Sequence, residues 1–215
     1  MPNWCDNQIT ITGPNSVIDK IEKIVKEEKD TDGLLNFFHP MPKELDGTTS
    51  PSSSADKPQP MIEGFDNWYD WRCENWGTKW EVCEFYGVER ELTPDGDSMI
   101  SFGFSSAWSP PINAYQTFLI NMSEQKQDVS ITAHYHEPGC DFMGIWENGD
   151  DRCYAPSNYK SDDKFFESGD GWSLDNYFGI TESMADWEAE QEAEKEDVHE
   201  YVKGNPVNLK IGEDA

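Results

Sequence analysis

Near the beginning of the sequence, polar and apolar residues alternate. Residues 8–12 (QITIT) alternate with a period of two, which predicts a half-buried strand. A turn follows at residues 13–16 (GPNS), and the next apolar side chains recur at helical spacing: Val17, Ile18, Ile21, Ile24 and Val25. The pattern therefore predicts a strand and then an amphipathic helix that buries one face.

The next stretch mixes apolar, flexible and aromatic segments. Residues 34–42 (LLNFFHPMP) predict a strand that is ended by its prolines. Residues 47–60 (GTTSPSSSADKPQP) are rich in Ser, Pro and Thr and lack core residues, which predicts a flexible surface loop. Residues 68–80 carry five large aromatic residues and predict a helix followed by a turn.

The second half of the fold repeats strand and helix patterns. Residues 82–88 and 98–104 predict two strands, and a second helix opens after residues 109–111 (SPP). Its inward-facing side chains are expected to be Ile112, Tyr115, Phe118, Leu119 and Met122. Residues 129–136 and 142–146 then predict two further strands.

The order of these elements predicts an α+β fold. A ferredoxin-like antiparallel sheet with two helices on one face and extra strands fits residues 1–160 best. Residues 161–215 are predicted to form an acidic C-terminal extension with a helix near residues 181–203. The expected buried stripe of that helix contains five residues: Met184, Trp187, Val198, Tyr201 and Val202.

Composition changes this picture in one respect, because the chain is very acidic. Its 215 residues include 43 acidic and 16 basic side chains, a formal net charge of −27. Residues 136–215 alone contain 21 acidic and 6 basic residues. The densest lysine cluster (Lys20, Lys23, Lys26 and Lys29) is interleaved with glutamates, so it is interpreted as a solvated helix face. Since nucleic-acid binders normally show a basic patch, direct binding to DNA or RNA is not expected.

Aromatic residues and cysteines define the class of protein further. Nine Trp, eleven Phe and eight Tyr supply enough apolar surface for a folded core despite a hydrophobic content of 36%. The five cysteines are scattered without a CxxC pair, which favours free thiols in a reducing cytoplasm. The first residues do not resemble a signal peptide, and no apolar run approaches the roughly 20 residues that cross a bilayer.

Several segments resemble a known family. They are residues 1–7 (MPNWCDN), 37–42 (FFHPMP) with Glu44, 75–80 (NWGTKW) and 137–142 (EPGCDF). Together they resemble the YubB-like proteins of phages and plasmids, which are described as carrying a ferredoxin-like domain. The resemblance covers about residues 1–150 and leaves out the acidic extension. It implies a mobile-element origin and a bacterial cytoplasm as the location, and it brings no catalytic residues.

The NWGTKW segment is the most distinctive motif. Lys79 lies in sequence between Trp76 and Trp80, a setting for cation–π contact, and Gly77 is expected to adopt a positive φ. One interpretation is a pocket in which Lys79 meets an anion. The more common alternative is an aromatic bracket that belongs to the core.

A second cluster has side chains that bind metals or transfer protons. His134 and His136 project to the same face of a strand, so both reach one ion. Zinc needs two more ligands, to which Cys140 or Asp141 would contribute. Two surface histidines at a strand end are the more common situation, so no metal and no cofactor are predicted. Nucleophile and nucleotide motifs (GxSxG, Walker A, GxGxxG, HExxH) are absent, and the chain is not expected to be an enzyme.

The predicted C-terminal helix carries the strongest remaining signal. Glu188, Glu192, Glu196 and Glu200 recur every four residues, about 6 Å apart along a helix axis. Combined with other surface carboxylates, such an acidic ridge imitates the phosphates of one DNA strand, which follow each other at about 3.4 Å. The alternative is a solvated acidic helix that keeps the protein soluble. The residues predicted to bind a partner are Trp172, Asp186, Trp187, Glu188, Glu190, Glu192, Glu194, Glu196, Asp197 and Glu200.

These observations support three hypotheses of unequal strength. The leading one is an accessory protein of a phage or mobile element that inhibits a host nuclease, restriction system or CRISPR effector as an acidic DNA mimic. Its partner would be a host protein with a basic nucleic-acid-binding surface. The second is an enzyme or a small-ligand or metal-binding protein with a pocket around Lys79, His134, His136 and Glu137. The third, RNA binding on the sheet face, is disfavoured by the charge.

Overall fold

A single antiparallel sheet organises the chain. The computed structural model describes residues 3–27 and 32–204, with side chains up to residue 195. Six strands pair in the order β2-β3-β1-β4-β5-β6. Their bounds are β1 Trp4–Gly13, β2 Cys83–Leu92, β3 Ser98–Ala107, β4 Ser130–Glu137, β5 Phe142–Glu147 and β6 Asp150–Tyr154.

Six helices accompany the sheet within the described residues. They are α1 Asn15–Lys26, α2 Leu34–Phe38, α3 Trp68–Trp76, α4 Ile112–Glu124, α5 Gly169–Phe178 and α6 Ile180–Gly204. The β1-α1-β2-β3-α4-β4 portion has the strand order β2-β3-β1-β4 of a ferredoxin-like fold, and β5 and β6 extend one edge. The predicted α+β class with extra strands is therefore confirmed.

The main core lies between the sheet and the helices α1 and α4. Strand alternation directs Ile9 and Ile11 to this side, and α1 turns the apolar face predicted from its periodicity towards them. Aromatic residues fill the space beneath α2 and α4, where the rings of Phe38 and Phe118 stack 4.4 Å apart. The aromatic side chains thus build a core although the hydrophobic content of the chain is low.

The opposite face of the sheet is only partly covered. Met143 and Ile145 of β5 form a second apolar cluster there with Phe166, Leu174 and Ile180, which come from the segment that includes α5 and the start of α6. Residues after 160 thus cover part of the sheet, while the division of the chain at residue 160 stays a prediction.

The structure of residues 34–42 differs from the prediction. They begin with the short helix α2 instead of the predicted strand, and they bury Leu34, Leu35 and Phe38. The cause lies 46 residues away in the chain: the Glu81 carboxylate accepts hydrogen bonds from the backbone N–H groups of Leu35 (2.7 Å) and Asn36 (3.0 Å). These are donors that the first turn of a helix leaves without an internal partner, so Glu81 caps α2.

The predicted surface loop at residues 47–60 contains one short turn, Ser52–Ser54. The side chain of Gln59 crosses the loop and bonds to the backbone of Thr49 and Asp66. The loop is therefore irregular, as expected, and its ends are joined by hydrogen bonds.

Helix α6 confirms the predicted C-terminal helix but not its predicted buried stripe. Met184 packs against the second apolar cluster, whereas Trp187 is 61% exposed and was wrongly expected inside. Val198, Tyr201 and Val202 lie outside the side chains that the structure describes. Across the described part of the chain, no helix is both long and apolar enough to span a bilayer.

Candidate functional site

The junction between α5 and α6 positions the predicted partner-binding residues. Gly179 ends α5 in the left-handed conformation (φ 60°), which a residue without a Cβ adopts at little cost. Asp175 then caps α6, because its carboxylate accepts from the backbone N–H (2.7 Å) and the hydroxyl (2.9 Å) of Thr181. Burial of Ile180 fixes the first turn of α6 on the body of the protein.

Glu188 has a structural role that the sequence analysis did not anticipate. Its carboxylate accepts a 2.7 Å hydrogen bond from the Ser161 hydroxyl and a longer one from the Ser161 backbone N–H. This contact ties the third turn of α6 to the loop after β6. Glu188 is consequently half-buried and is not a free member of the acidic row that was predicted to begin with it.

A second acidic row lies on the exposed side of α6. Glu182, Asp186, Glu190 and Glu194 recur every four residues, about 6 Å apart along the axis, and all four are exposed. None of them forms an ion pair within the described residues. We call these four residues the exposed acidic row. Glu182 was missed by the sequence analysis, although its spacing from Asp186 was a sufficient signal.

Large aromatic side chains lie on the same two helices. Trp172 and Tyr177 of α5 are 56% and 46% exposed, and Trp187 of α6 is 61% exposed. Glu192 is exposed as well, while the side chains of three further predicted residues lie outside the described part: Glu196, Asp197 and Glu200. Exposed indoles beside unpaired carboxylates give this end of the molecule both apolar area and charge.

The NWGTKW segment forms a cation–π contact with one of the two predicted indoles and with one that was not predicted. The Lys79 Nζ lies 3.9 Å from the ring centroids of Trp80 and Trp108. Trp108 follows β3 and has a positive φ of 73°, an uncommon conformation for a residue with a bulky side chain. Trp76 is instead buried, and its Nε1 donates to the His39 carbonyl at 2.8 Å. Gly77 has the expected positive φ (84°).

The two histidines of β4 do share a face, but α5 covers them. The His134 Nε2 lies 2.8 Å from the Ser173 hydroxyl, and its ring centroid lies 4.7 Å from that of Tyr177. Burial lowers the pKa of His134 to about 4, so the ring is neutral at pH 7. The His136 ring packs on Phe178, with 5.8 Å between centroids, and burial lowers its pKa too.

The suggested metal site and the suggested mixed pocket are not assembled. Cys140 is exposed and contacts the Asn3 amide, and no group of three or more His, Cys, Asp or Glu side chains suited to a metal occurs among the described residues. Glu137 is buried on the helix-covered face, opposite His134 and His136. Lys79, the two histidines and Glu137 therefore do not line one pocket.

The uncovered part of the sheet is polar. Thr10 and Ser101 share a hydrogen bond there, and the ring of Tyr86 covers Gly103. Neither β1 nor β3 contains Lys or Arg, and Asp6 of β1 faces this surface. These two strands therefore offer no cation to a phosphate backbone.

Fold and site together describe a ferredoxin-like α+β domain with an acidic, aromatic helical corner. No family model matches the chain, and no curated protein matches it. A crystal structure described as protein api92 from Yersinia pseudotuberculosis, with the family model DUF1281, is similar at 10% identity and a TM-score of 0.40. The match covers 72% of this chain and 99% of that chain. It transfers no functional residue, and the resemblance to YubB-like proteins stays a prediction.

Proposed function

We propose that the protein binds the basic nucleic-acid-binding surface of another protein through α6, and that it competes there with DNA or RNA. One observation carries the proposal: the exposed acidic row has no counter-ions within the described residues, and an exposed indole, Trp187, lies beside it. A cationic groove supplies the missing counter-ions.

The spacing of the acidic row suits a surface built for phosphates. Glu194 lies twelve residues after Glu182, about 18 Å along the helix axis, with a carboxylate every 6 Å. Along one DNA strand the phosphates follow at about 3.4 Å, so the row meets roughly every second cation of such a groove. Complementary charge of this kind speeds association and makes it sensitive to salt.

Charge alone gives little affinity, and the aromatic residues supply the second component. An exposed salt bridge contributes only about 0.2–1 kcal/mol, whereas one buried aromatic anchor at an interface contributes about 2 kcal/mol or more. Among the described side chains of α5 and α6, Trp172 and Trp187 are the most exposed large hydrophobic ones. We assign anchoring to these indoles and steering to the acidic row.

The class of partner follows from the resemblance to phage and plasmid proteins. A host nuclease, restriction enzyme or CRISPR effector has a basic groove and acts against mobile elements. Inhibition of such a defence protein by an acidic DNA mimic is the function that we propose.

The test begins with capture on the immobilised full-length protein. A nuclease-treated bacterial lysate is applied, retained proteins are eluted with a salt gradient, and each is then assayed for competition with duplex DNA. We expect a basic nucleic-acid-binding protein whose DNA complex the chain displaces. A retained protein that binds its DNA and this chain at the same time would contradict the proposal.

A charge-matched pair of variants makes the test specific. The first neutralises the acidic row (Glu182→Gln, Asp186→Asn, Glu190→Gln, Glu194→Gln), and the control neutralises four exposed acids elsewhere: Glu44, Asp56, Asp95 and Glu124. Loss of four exposed ion pairs is expected to cost about 1–4 kcal/mol, or about fivefold to several hundredfold in Kd. Equal weakening of binding in both variants would show that net charge, and not the position of the acidic row, causes the effect.

A further inference from the structure

A cavity of about 800 Å³ lies on the helix-covered side of the molecule, away from α6. Asn36, Phe37, Met41, Lys43 and Arg72 are among the residues that line it. This volume falls within the roughly 300–1,000 Å³ of small-molecule sites. The FFHPMP segment contributes Phe37, Pro40 and Met41 to the lining, and α3 contributes Arg72.

Arg72 is the unusual side chain of this cavity. Its guanidinium carbon lies 5.2 Å from the ring centroid of Trp68 and 4.7 Å from that of Trp76, so two indoles hold it in place. Its Nε donates to the Met41 sulfur at 3.4 Å. The terminal nitrogens make no hydrogen bond or ion pair to any residue that the structure describes.

A guanidinium in this environment lacks the acceptors that its charge requires. Burial lowers the pKa of Arg72, while the more distant charges of Glu81 and Asp46 act in the opposite direction. A partly buried cation normally has a hydrogen-bonded anion beside it, because removing a charge from water is costly. Arg72 has two indole rings beside it, and it borders a cavity in which such an anion would fit.

Two further donors face the same space. Lys43 is exposed at the rim. The Oδ1 of Asn36 accepts from the Met41 backbone N–H at 2.9 Å, which leaves its Nδ2 hydrogens without an acceptor in the described part of the protein. Asp32 and Asp46 also line the cavity, but both are exposed, so solvent screens them more strongly than it screens Arg72.

We propose that this cavity binds a small organic molecule through an oxyanion, a carboxylate or a phosphate, that pairs with the Arg72 guanidinium. The planar fork of Arg72 accommodates two oxygens of either group, and Lys43 and the Asn36 amide supply additional donors. Phe37 and Met41 contact the apolar part of the ligand. This site is independent of the acidic row and of the partner proposed for it.

The test measures binding of defined probes to the full-length protein at constant ionic strength. Inorganic phosphate, acetate and adenosine monophosphate are titrated with sodium chloride as the balancing salt, and the melting temperature and the heat of binding are followed. We expect a saturable rise in melting temperature with at least one probe. A response to acetate alone identifies a carboxylate ligand, and a response to the phosphate probes alone identifies a phosphate.

Three variants decide whether the response comes from this cavity. Arg72→Lys keeps the charge but loses the fork, and we expect at least tenfold weaker binding, since a charge-assisted hydrogen bond is lost. Lys43→Met changes an exposed residue and weakens binding without affecting the fold, so it decides the test if Arg72→Lys does not fold. Lys160→Met, a matched exposed lysine outside the cavity, binds as the wild type does.

Either of two results overturns the proposal. One is that no probe gives a saturable response in the wild type. The other is a response that is equal in wild type, Lys43→Met and Arg72→Lys, because general stabilisation by excluded salts acts without a site.

Discussion

Protonation of His134 is expected to loosen α5 from the sheet. The imidazole lies between β4 and α5, where its Nε2 is 2.8 Å from the Ser173 hydroxyl and its ring packs on Tyr177. The charge of Asp170 favours the protonated ring and that of Arg152 opposes it. Burial is the largest influence, and it lowers the pKa from the ordinary 6.5 to about 4.

The sign and size of the effect follow from this pKa. Between pH 6.5 and about 4 the unfolded chain binds a proton that the folded protein does not, so the free energy of unfolding falls as the pH is lowered. Since a pKa difference of one corresponds to about 1.36 kcal/mol, the loss is about 2 kcal/mol at pH 5 and about 3 kcal/mol below pH 4. All of this stabilisation is present above pH 6.5.

Urea unfolding of wild type, His134→Gln and Ser173→Ala at about pH 7 and about pH 5 measures the effect. His134→Gln removes the titrating ring, so its free energy of unfolding falls by about 2 kcal/mol less than that of wild type. Ser173→Ala keeps the ring and loses one hydrogen bond, about 1 kcal/mol at both pH values. Carboxylates that lose ion pairs in acid affect all three proteins alike. An identical fall in wild type and His134→Gln would refute the reasoning.

Three further substitutions test individual contacts by urea unfolding. Lys79→Met removes the ammonium between Trp80 and Trp108 and should cost about 1–2 kcal/mol, with recovery in Lys79→Arg; a fully stable Lys79→Met would contradict a stabilising contact. Tyr115→Phe removes a buried hydroxyl that has no partner in the described chain, so stability should hold or rise, and a loss above about 1 kcal/mol would oppose this. Glu81→Ala exposes three backbone N–H groups and should cost about 2–4 kcal/mol; a loss below about 1 kcal/mol would show that capping is weak.

Local periodicity was sufficient to predict most of the sheet and the long helices. The alternation in β1 and the helical spacing in α1 reflect burial on one face, and burial is what those patterns encode. The ferredoxin-like order followed because short connections leave few alternatives for such a sequence of elements. The strand predicted at residues 34–42 was wrong, because the helix at their start depends on the carboxylate of Glu81, which is distant in the chain.

The candidate sites were harder to predict for the same reason. Lys79 was placed between its neighbours in sequence, but Gly77 reverses the chain and Trp108 arrives from the end of β3. The shared face of His134 and His136 was correct, since strand geometry alone determines it. The sequence of β4 alone does not indicate that α5 covers this face. Arg72 was overlooked because its two indoles flank it in sequence at four-residue spacing, as ordinary core residues also do.

The energetics of α6 connect its fold with the proposed function. Three like-charge pairs in the exposed acidic row destabilise the helix by about 1 kcal/mol in total, while burial of Ile180 and the Asp175 cap contribute about 2–4 kcal/mol in the other direction. Salt screens the repulsion in the free protein, so amide exchange in α6 should slow as salt is added. The same salt weakens a complex with a cationic groove. The two responses to salt distinguish a helix whose charges bind a partner from one whose charges only keep the protein soluble. A helix of the second kind shows slower amide exchange as salt is added, but it has no complex for salt to weaken.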